Sequence, residues 1–188
     1  MNKQGKIIIL SGPSGSGKNA VVRGLLKKLK NSTYMIPHTT RKPRPKEKQG
    51  KDYFFITEQA FKKKIKNKEF LEWAHVHTDY YGTSKKILAK LQKKYNPVIL
   101  AIDVNGAKTF RKHKIPHTSF FINAESEQKL ISRIKKRQKN ISPRELKTRL
   151  ATAKNELKQA KKYDHQVINY QNKLPQTITK VLKIIKKK

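Results

Sequence analysis

The residues Gly12-Pro13-Ser14-Gly15-Ser16-Gly17-Lys18 hold the GxxxxGK spacing of a loop that wraps nucleotide phosphates. The glycines let the backbone turn its N–H groups onto a diphosphate, a following helix adds its positive end, and Lys18 supplies a point charge to the terminal phosphates. Asn19 stands where Ser or Thr ordinarily meets magnesium, and Ala20 follows it. An Asn oxygen can reach a metal or a metal-bound water, and Mg2+ takes much of its shell from phosphate oxygens and water. Mg2+ is therefore expected with ATP, its protein ligands unassigned beyond Asn19. Such a loop alone leaves motors, GTPases, ATPases and kinases open.

A second constellation narrows the choice. Arg41 and Arg44 flank Lys42-Pro43, and Tyr53, Glu72 and Tyr80-Tyr81 follow. Two guanidinium groups and tyrosine hydroxyls suit a monophosphate, because guanidinium binds phosphate in a planar two-point geometry. Tyr81, before Gly82, is the better phosphate contact, with Tyr80 in support. Glu72 and Asp103 are scarce acids in a basic chain. A carboxylate accepts two N–H donors in one plane, as guanine presents them, and rejects adenine by leaving groups unpaired. His38, His75 and His77 lack a ligand set and read as structural or incidental, and Phe70 and Trp73 read as core.

These groups sit in a chain of 188 residues, long enough for one domain and too short for two of full size. Hydrophobic residues make up 35% and charged residues 31%, which excludes collagenous and wholly disordered classes. The 46 Lys and Arg against 12 Asp and Glu give a net charge of +34. Lysines run from Lys3 to Lys188 without forming one stripe, so a solvated basic surface is favoured over a dedicated nucleic-acid face. Weak, salt-sensitive polyanion binding fits such a charge. Cysteine is absent, which removes disulfides, thiolate nucleophiles and cysteine-ligated zinc. The start MNKQGKIIIL has only four consecutive aliphatic residues, no apolar run is long enough for a membrane span, and the cytoplasm is the expected location.

The elements that must position the chemistry follow from hydrophobic spacing. Ile7–Leu10, Val98–Ile102, Thr118–Ile122 and Val167–Ile168 are aliphatic or aromatic runs that read as strands. Val21, Val22, Leu25, Leu26 and Leu29 mark the helix after the loop. Thr57 is a candidate N-cap of a short helix, Tyr80–Thr83 reads as a turn, and a helix follows from Ser84 to Lys94. Leu130, Ile134, Leu146, Leu150 and Leu157 recur at helical spacing, broken at Asn140-Ile-Ser-Pro143, where Ser142 caps and Pro143 opens a second helix. That hairpin brings Arg133, Arg137 and Arg149 over one pocket. Leu174–Ile185 closes the chain as a helix. Strands alternating with helices predict an α/β fold with a mostly parallel sheet.

The ordered pieces GPSGSGK, HTTRKPRPKE followed by GKDYFF, EFLEWAHVH, YYGT and ILAIDVNGA resemble the guanylate kinase family over Gly5–Ile185. The resemblance implies a P-loop core over 1–34, 84–123 and 148–188, a GMP-binding insertion over 35–83 and a helical lid over 124–147. It implies transfer of the ATP γ-phosphoryl group to GMP, with Lys18, Arg41, Arg133, Arg137 and Arg149 as the catalytic cations. ATP falls to residues 12–19 and Asn169. GMP falls to Arg41, Arg44, Tyr53, Glu72, Tyr81, Thr83 and Asp103. Pro37 replaces a family serine that touches guanine, Ala101 an acidic residue that orders metal-bound water, and Lys46 a glycine. A monophosphate kinase of altered base preference and a noncatalytic interaction module are the alternatives, in a monomer or homodimer.

Overall fold

The computed structural model describes residues 4–76, 78–138 and 140–187, with Arg137 described for its backbone alone; His77 lies outside the described residues. The chain divides into two compact units: the segment ending at Ile8 with Asn31–His117, and Ile9–Lys30 with Thr118–Lys188. Strand β1 (Ile7–Ser11), buried along its whole length, begins in the first and ends in the second.

In the first unit, β2 (Thr33–Tyr34) pairs in parallel with β7 (Val98–Ala101), Thr33 opposite Val98. Val98, Ile99 and Leu100 are all buried, as expected for a continuous apolar run covered on both faces. Helix α4 (Val104–Lys112) follows at once. The sequence reading passed over it, because Gly106 interrupts a short apolar face carried by Ala107 and Phe110, both wholly buried.

Four further strands form a second sheet in the order β4-β3-β6-β5. They are β3 (His38–Thr39), β4 (Phe54–Phe55), β5 (Phe70–Val76) and β6 (Asp79–Ser84). The stretch Tyr80–Thr83 is therefore strand and not a turn. Gly82 serves packing there: helix α2 (Glu58–Lys66) places Phe61 under the sheet, stacked on Phe70 at 4.5 Å, and a Cβ on Gly82 would stand 2.9 Å from the Phe61 ring. Phe61 is wholly buried, so truncation to Ala removes about 3–5 kcal/mol. Thr57 caps α2 as expected, its hydroxyl accepting from the Ala60 N–H.

Trp73 is not core but 45% exposed, lying against Tyr80. Strand periodicity explains the correction: β5 turns Phe70, Glu72 and Ala74 inward, and the residue between Glu72 and Ala74 must point out. Helix α3 (Lys85–Lys94) then starts after Ser84, which is its N-cap, the hydroxyl accepting from the Ile87 N–H, and not its first residue as the sequence reading has it.

The second unit carries α1 (Lys18–Lys28), β8 (Thr118–Ala124), α5 (Glu127–Arg137), α6 (Pro143–Lys158), β9 (His165–Asn169) and α7 (Leu174–Lys187). Strands β8 and β9 run parallel through five pairs, Phe120–His165 to Ala124–Asn169. The Ser142 hydroxyl accepts from the Glu145 N–H at 3.1 Å and opens α6 at Pro143. Leu130, Ile134 and Ala153 make a small core with Ala124, and Leu146 packs on it, whereas Leu157 stays at the surface. Parallel pairing in both units makes the fold α/β with a mostly parallel sheet, as the alternation of elements predicts. Among the described residues no helix is long and apolar enough to cross a membrane.

Candidate active site

The phosphate loop lies in the second unit. Gly12, Gly15 and Gly17 take φ values of +142°, +88° and +89°, and Gly17 is the N-cap of α1. The loop is closed by the Ser16 N–H donating to the Pro13 carbonyl at 3.1 Å. Lys18 folds back, its Nζ donating to the Gly12 carbonyl at 2.6 Å. Asn169, 6% exposed, does not open to solvent: its amide donates to the Ser16 carbonyl at 2.9 Å and accepts from the Thr177 hydroxyl at 3.1 Å. The residue expected beside the nucleotide thus fastens the loop to α7.

Arg133 on α5 turns toward the same place, its Nη2 donating to the Asn169 carbonyl at 2.9 Å. Its Nη1 is buried and has no hydrogen-bond partner among the described residues. Arg149 on α6 donates to Glu145 at 2.7 Å and to the Gln138 oxygen at 3.1 Å, and Gln138 in turn donates to Glu145 at 2.9 Å. Arg137 ends α5, and its side chain lies outside the described residues.

The residues expected to hold the acceptor lie wholly in the first unit. Arg41 and Arg44 converge on Glu47. Arg41 makes two bonds to its carboxylate, at 2.8 and 3.0 Å, and the Arg44 backbone N–H donates to it at 2.9 Å. Burial opposes the Arg41 charge, but Glu47 and neighbouring Tyr81 outweigh it and hold its pKa above the usual value. The guanidinium lies 5.3 Å from the Tyr53 ring centroid, and the Tyr53 and Tyr81 rings are 6.0 Å apart. Burial, then the proximity of Tyr81, raises the Tyr53 pKa, so this phenol stays a proton donor. The Nε of Arg41 is buried without a partner among the described residues.

Along β6, Tyr81 and Thr83 are two residues apart and share a face, about 7 Å from one another. Glu72 sits opposite Thr83, whose hydroxyl donates to its Oε1 at 2.5 Å. Burial first, then the charge of Asp103, pushes the Glu72 carboxyl up to about 7 against the Thr83 hydrogen bond. Asp103 caps α4, accepting from the Gly106 N–H at 2.7 Å. Gly106 is required by closeness, since a Cβ there would meet Oε2 of Glu72 at 2.5 Å. The sheet thus has a buried carboxylate beside Thr83 and an arginine–tyrosine cluster beside Tyr81.

Of the histidines, His38 is buried between Phe54 and Phe70 at 5.0 and 5.5 Å, and burial, then Lys64, lowers its pKa to about 4. It is a neutral core ring. Glu47, Gln138, Glu145, Gly106 and Thr177 organise the site without having been singled out. Two left a signal: Glu145 stands four residues before Arg149, and Glu47 is one of 12 acids and three residues after Arg44. Among the described residues no group of three or more His, Cys, Asp or Glu is placed to hold a metal.

The guanylate kinase family model matches residues 4–188. Guanylate kinase of Onion yellows phytoplasma is 45% identical over 175 residues, 90% of this chain and 80% of that protein. That of Caldanaerobacter subterraneus is 43% identical over 170 residues, 90% and 82% of the two chains. The crystal structure of guanylate kinase from Anaplasma phagocytophilum superposes with a TM-score of 0.77 at 28% identity, covering 98% of this chain and 86% of that one. With a family model spanning nearly its whole length and relatives above 40% identity, the chain belongs to the guanylate kinase family.

Proposed function

We propose that the protein transfers the γ-phosphoryl group of ATP to a phosphate oxygen of GMP, giving ADP and GDP by direct in-line displacement. The observation that carries this is the pairing, in one chain, of a GxxxxGK loop with a buried Glu72–Thr83 pair whose Thr83 lies on the strand that also bears Tyr81. Lys18 and the loop amides hold the donor phosphates. Arg41, Arg44, Tyr53 and Tyr81 hold the acceptor phosphate, and Glu72, Thr83 and Asp103 select guanine. Asn169 acts through the loop it fastens. Arg133 and Arg149 leave their resting partners and, with Arg137, neutralise charge as the phosphoryl group moves. The acceptor oxygen is already anionic, so no general base is needed.

Enzymes of this class use a divalent cation with ATP, and Mg2+ is the cation we assign. Asn19, exposed in the first turn of α1, is the side chain able to offer it an oxygen. When bound, the ion neutralises charge on the β- and γ-phosphates. The GMP-binding insertion is assigned to 35–83, the lid to 124–147, and the protein to the cytoplasm.

Initial rates of ADP formation with ATP and Mg2+, comparing GMP with dGMP, AMP, UMP, CMP and no acceptor, test the assignment. GDP formed from GMP, with inversion at a chirally labelled γ-phosphorus, is expected. Retention at phosphorus overturns the direct transfer, and preference for another monophosphate overturns the base assignment.

A further inference from the structure

Leu157, Ile168 and Tyr170 are large apolar side chains left exposed, and all three line one cleft of about 530 Å³ in the second unit. Its polar lining includes Lys173 and Lys180 and no acidic residue. The cleft runs along β9, the outer strand of its sheet. Open edges are ordinarily blunted by Lys, Pro or a bulge. This chain has 38 lysines, yet β9 reads His165-Gln-Val-Ile-Asn169, without a lysine, a proline or a break in its register with β8. From His165 to Ile168 the backbone has no bonding partner outside the β8 pairing among the described residues.

The two faces of β9 differ. Gln166 and Ile168 are exposed on one face, whereas Val167 and Asn169 are buried on the other, where α7 supplies Thr177 to Asn169; the cleft lies at the edge, lined by Gln166 and Ile168 from one face and by Val167 and Thr177 from the other. A strand laid along β9 continues both faces: alternate residues lie over Leu157, Ile168 and Tyr170, and those between them lie toward Lys173 and Lys180. A second copy of the chain fits this edge poorly. It would set the same lysines against each other in two molecules that each carry +34.

We propose that β9 is a strand-addition site for an extended acidic peptide segment in which apolar and acidic residues alternate. Backbone pairing supplies affinity, the apolar row fixes the register, and the lysines select the charge.

The test uses the full chain and a fluorescein-labelled peptide of alternating Val and Glu, against a peptide of the same composition with Val and Glu in separate blocks. Fluorescence anisotropy near physiological salt should give at least about tenfold tighter binding of the alternating peptide, with slower amide exchange in 165–168. Ile168→Glu should lose that preference while GMP phosphorylation and melting temperature stay unchanged, and Ile168→Val should keep it. Lys173→Gln with Lys180→Gln, at exposed positions, should weaken binding without touching the strand. Equal binding of both peptides overturns the proposal, since bulk charge then accounts for everything. Unchanged binding by Ile168→Glu overturns it, as does self-association of the parent chain that this substitution abolishes.

Discussion

On the proposed guanine contact, Glu72 makes GMP recognition depend on pH in a calculable way. Guanine offers donors, so only the ionised carboxylate accepts both, and burial pushes this carboxyl from 4.5 up to about 7. If protonated enzyme binds GMP poorly, the apparent KM scales as one plus the protonated-to-ionised ratio, which is about 10 at pH 6 and about 0.1 at pH 8. KM for GMP should therefore fall about tenfold from pH 6 to pH 8, with KM for ATP little changed. The second ionisation of GMP phosphate also lies near pH 6, so the readout is the ratio of KM for Glu72→Gln to that of the parent, in which the ligand's titration cancels. This ratio should grow about tenfold over the same range. Asp103→Asn keeps a cap on α4 but removes the second cause of the shift, so the inflection should move to lower pH. A ratio that does not vary with pH would refute the reasoning.

The same residue predicts a stability trend. A carboxyl whose folded pKa is raised holds its proton more tightly in the folded state, so its contribution is full below about 4.5 and is lost as pH rises through about 7. The full shift corresponds to about 3 kcal/mol against the ionised form. Without nucleotide, the parent should lose about 2–3 kcal/mol relative to Glu72→Gln between pH 5 and pH 8, read from denaturant midpoints.

Three further outcomes follow from the contacts. Asn169→Ala leaves the Ser16 carbonyl without its 2.9 Å donor, so KM for ATP should rise and chemical stability fall by about 1–3 kcal/mol, measured by initial rates and urea unfolding. Glu47→Gln removes the charge on which Arg41 and Arg44 converge; KM for GMP should rise about five- to tenfold, that for ATP staying put, in a bisubstrate titration. Gly106→Ala presses a methyl within 2.5 Å of Glu72 Oε2, and GMP affinity by calorimetry should drop at least about tenfold while ATP-analogue affinity holds.

What the sequence made legible was whatever repeats with a fixed period or needs a fixed spacing. The helix caps at Thr57 and Ser142 were readable because a side-chain oxygen three residues before an N–H is a local event. The strand at Tyr80–Thr83 was hidden because Gly82 answers to Phe61, remote in sequence, and a glycine between aromatics looks like a turn when its partner is unseen. Trp73 was misplaced for a related reason: its neighbour Glu72 claims the inner face for a chemical purpose that hydrophobicity opposes. Helix α4 escaped because its principal start signal, Asp103, had been assigned to ligand chemistry, and the side chain also caps.

In a chain with 46 basic residues, charge alone cannot single out cations for the phosphates, but the resting partners of those proposed for that role set them apart. Lys18 rests on the Gly12 carbonyl, Arg41 on Glu47, Arg133 on the Asn169 carbonyl and Arg149 on Glu145 and Gln138. Each partner fixes a long side chain that would otherwise lose rotamer freedom when substrate arrives. The partners differ in what release costs. A neutral carbonyl gives up Lys18 or Arg133 to a phosphate easily, whereas Arg41 must either leave a carboxylate or share it, and its unpartnered Nε permits sharing. On the proposed roles, Glu47 holds the Arg41 guanidinium in place during GMP binding, and Glu145 with Gln138 gives Arg149 a resting state that competes with the donor phosphates. The scarce acids, 12 in the whole chain, are thus more informative about the site than the abundant bases.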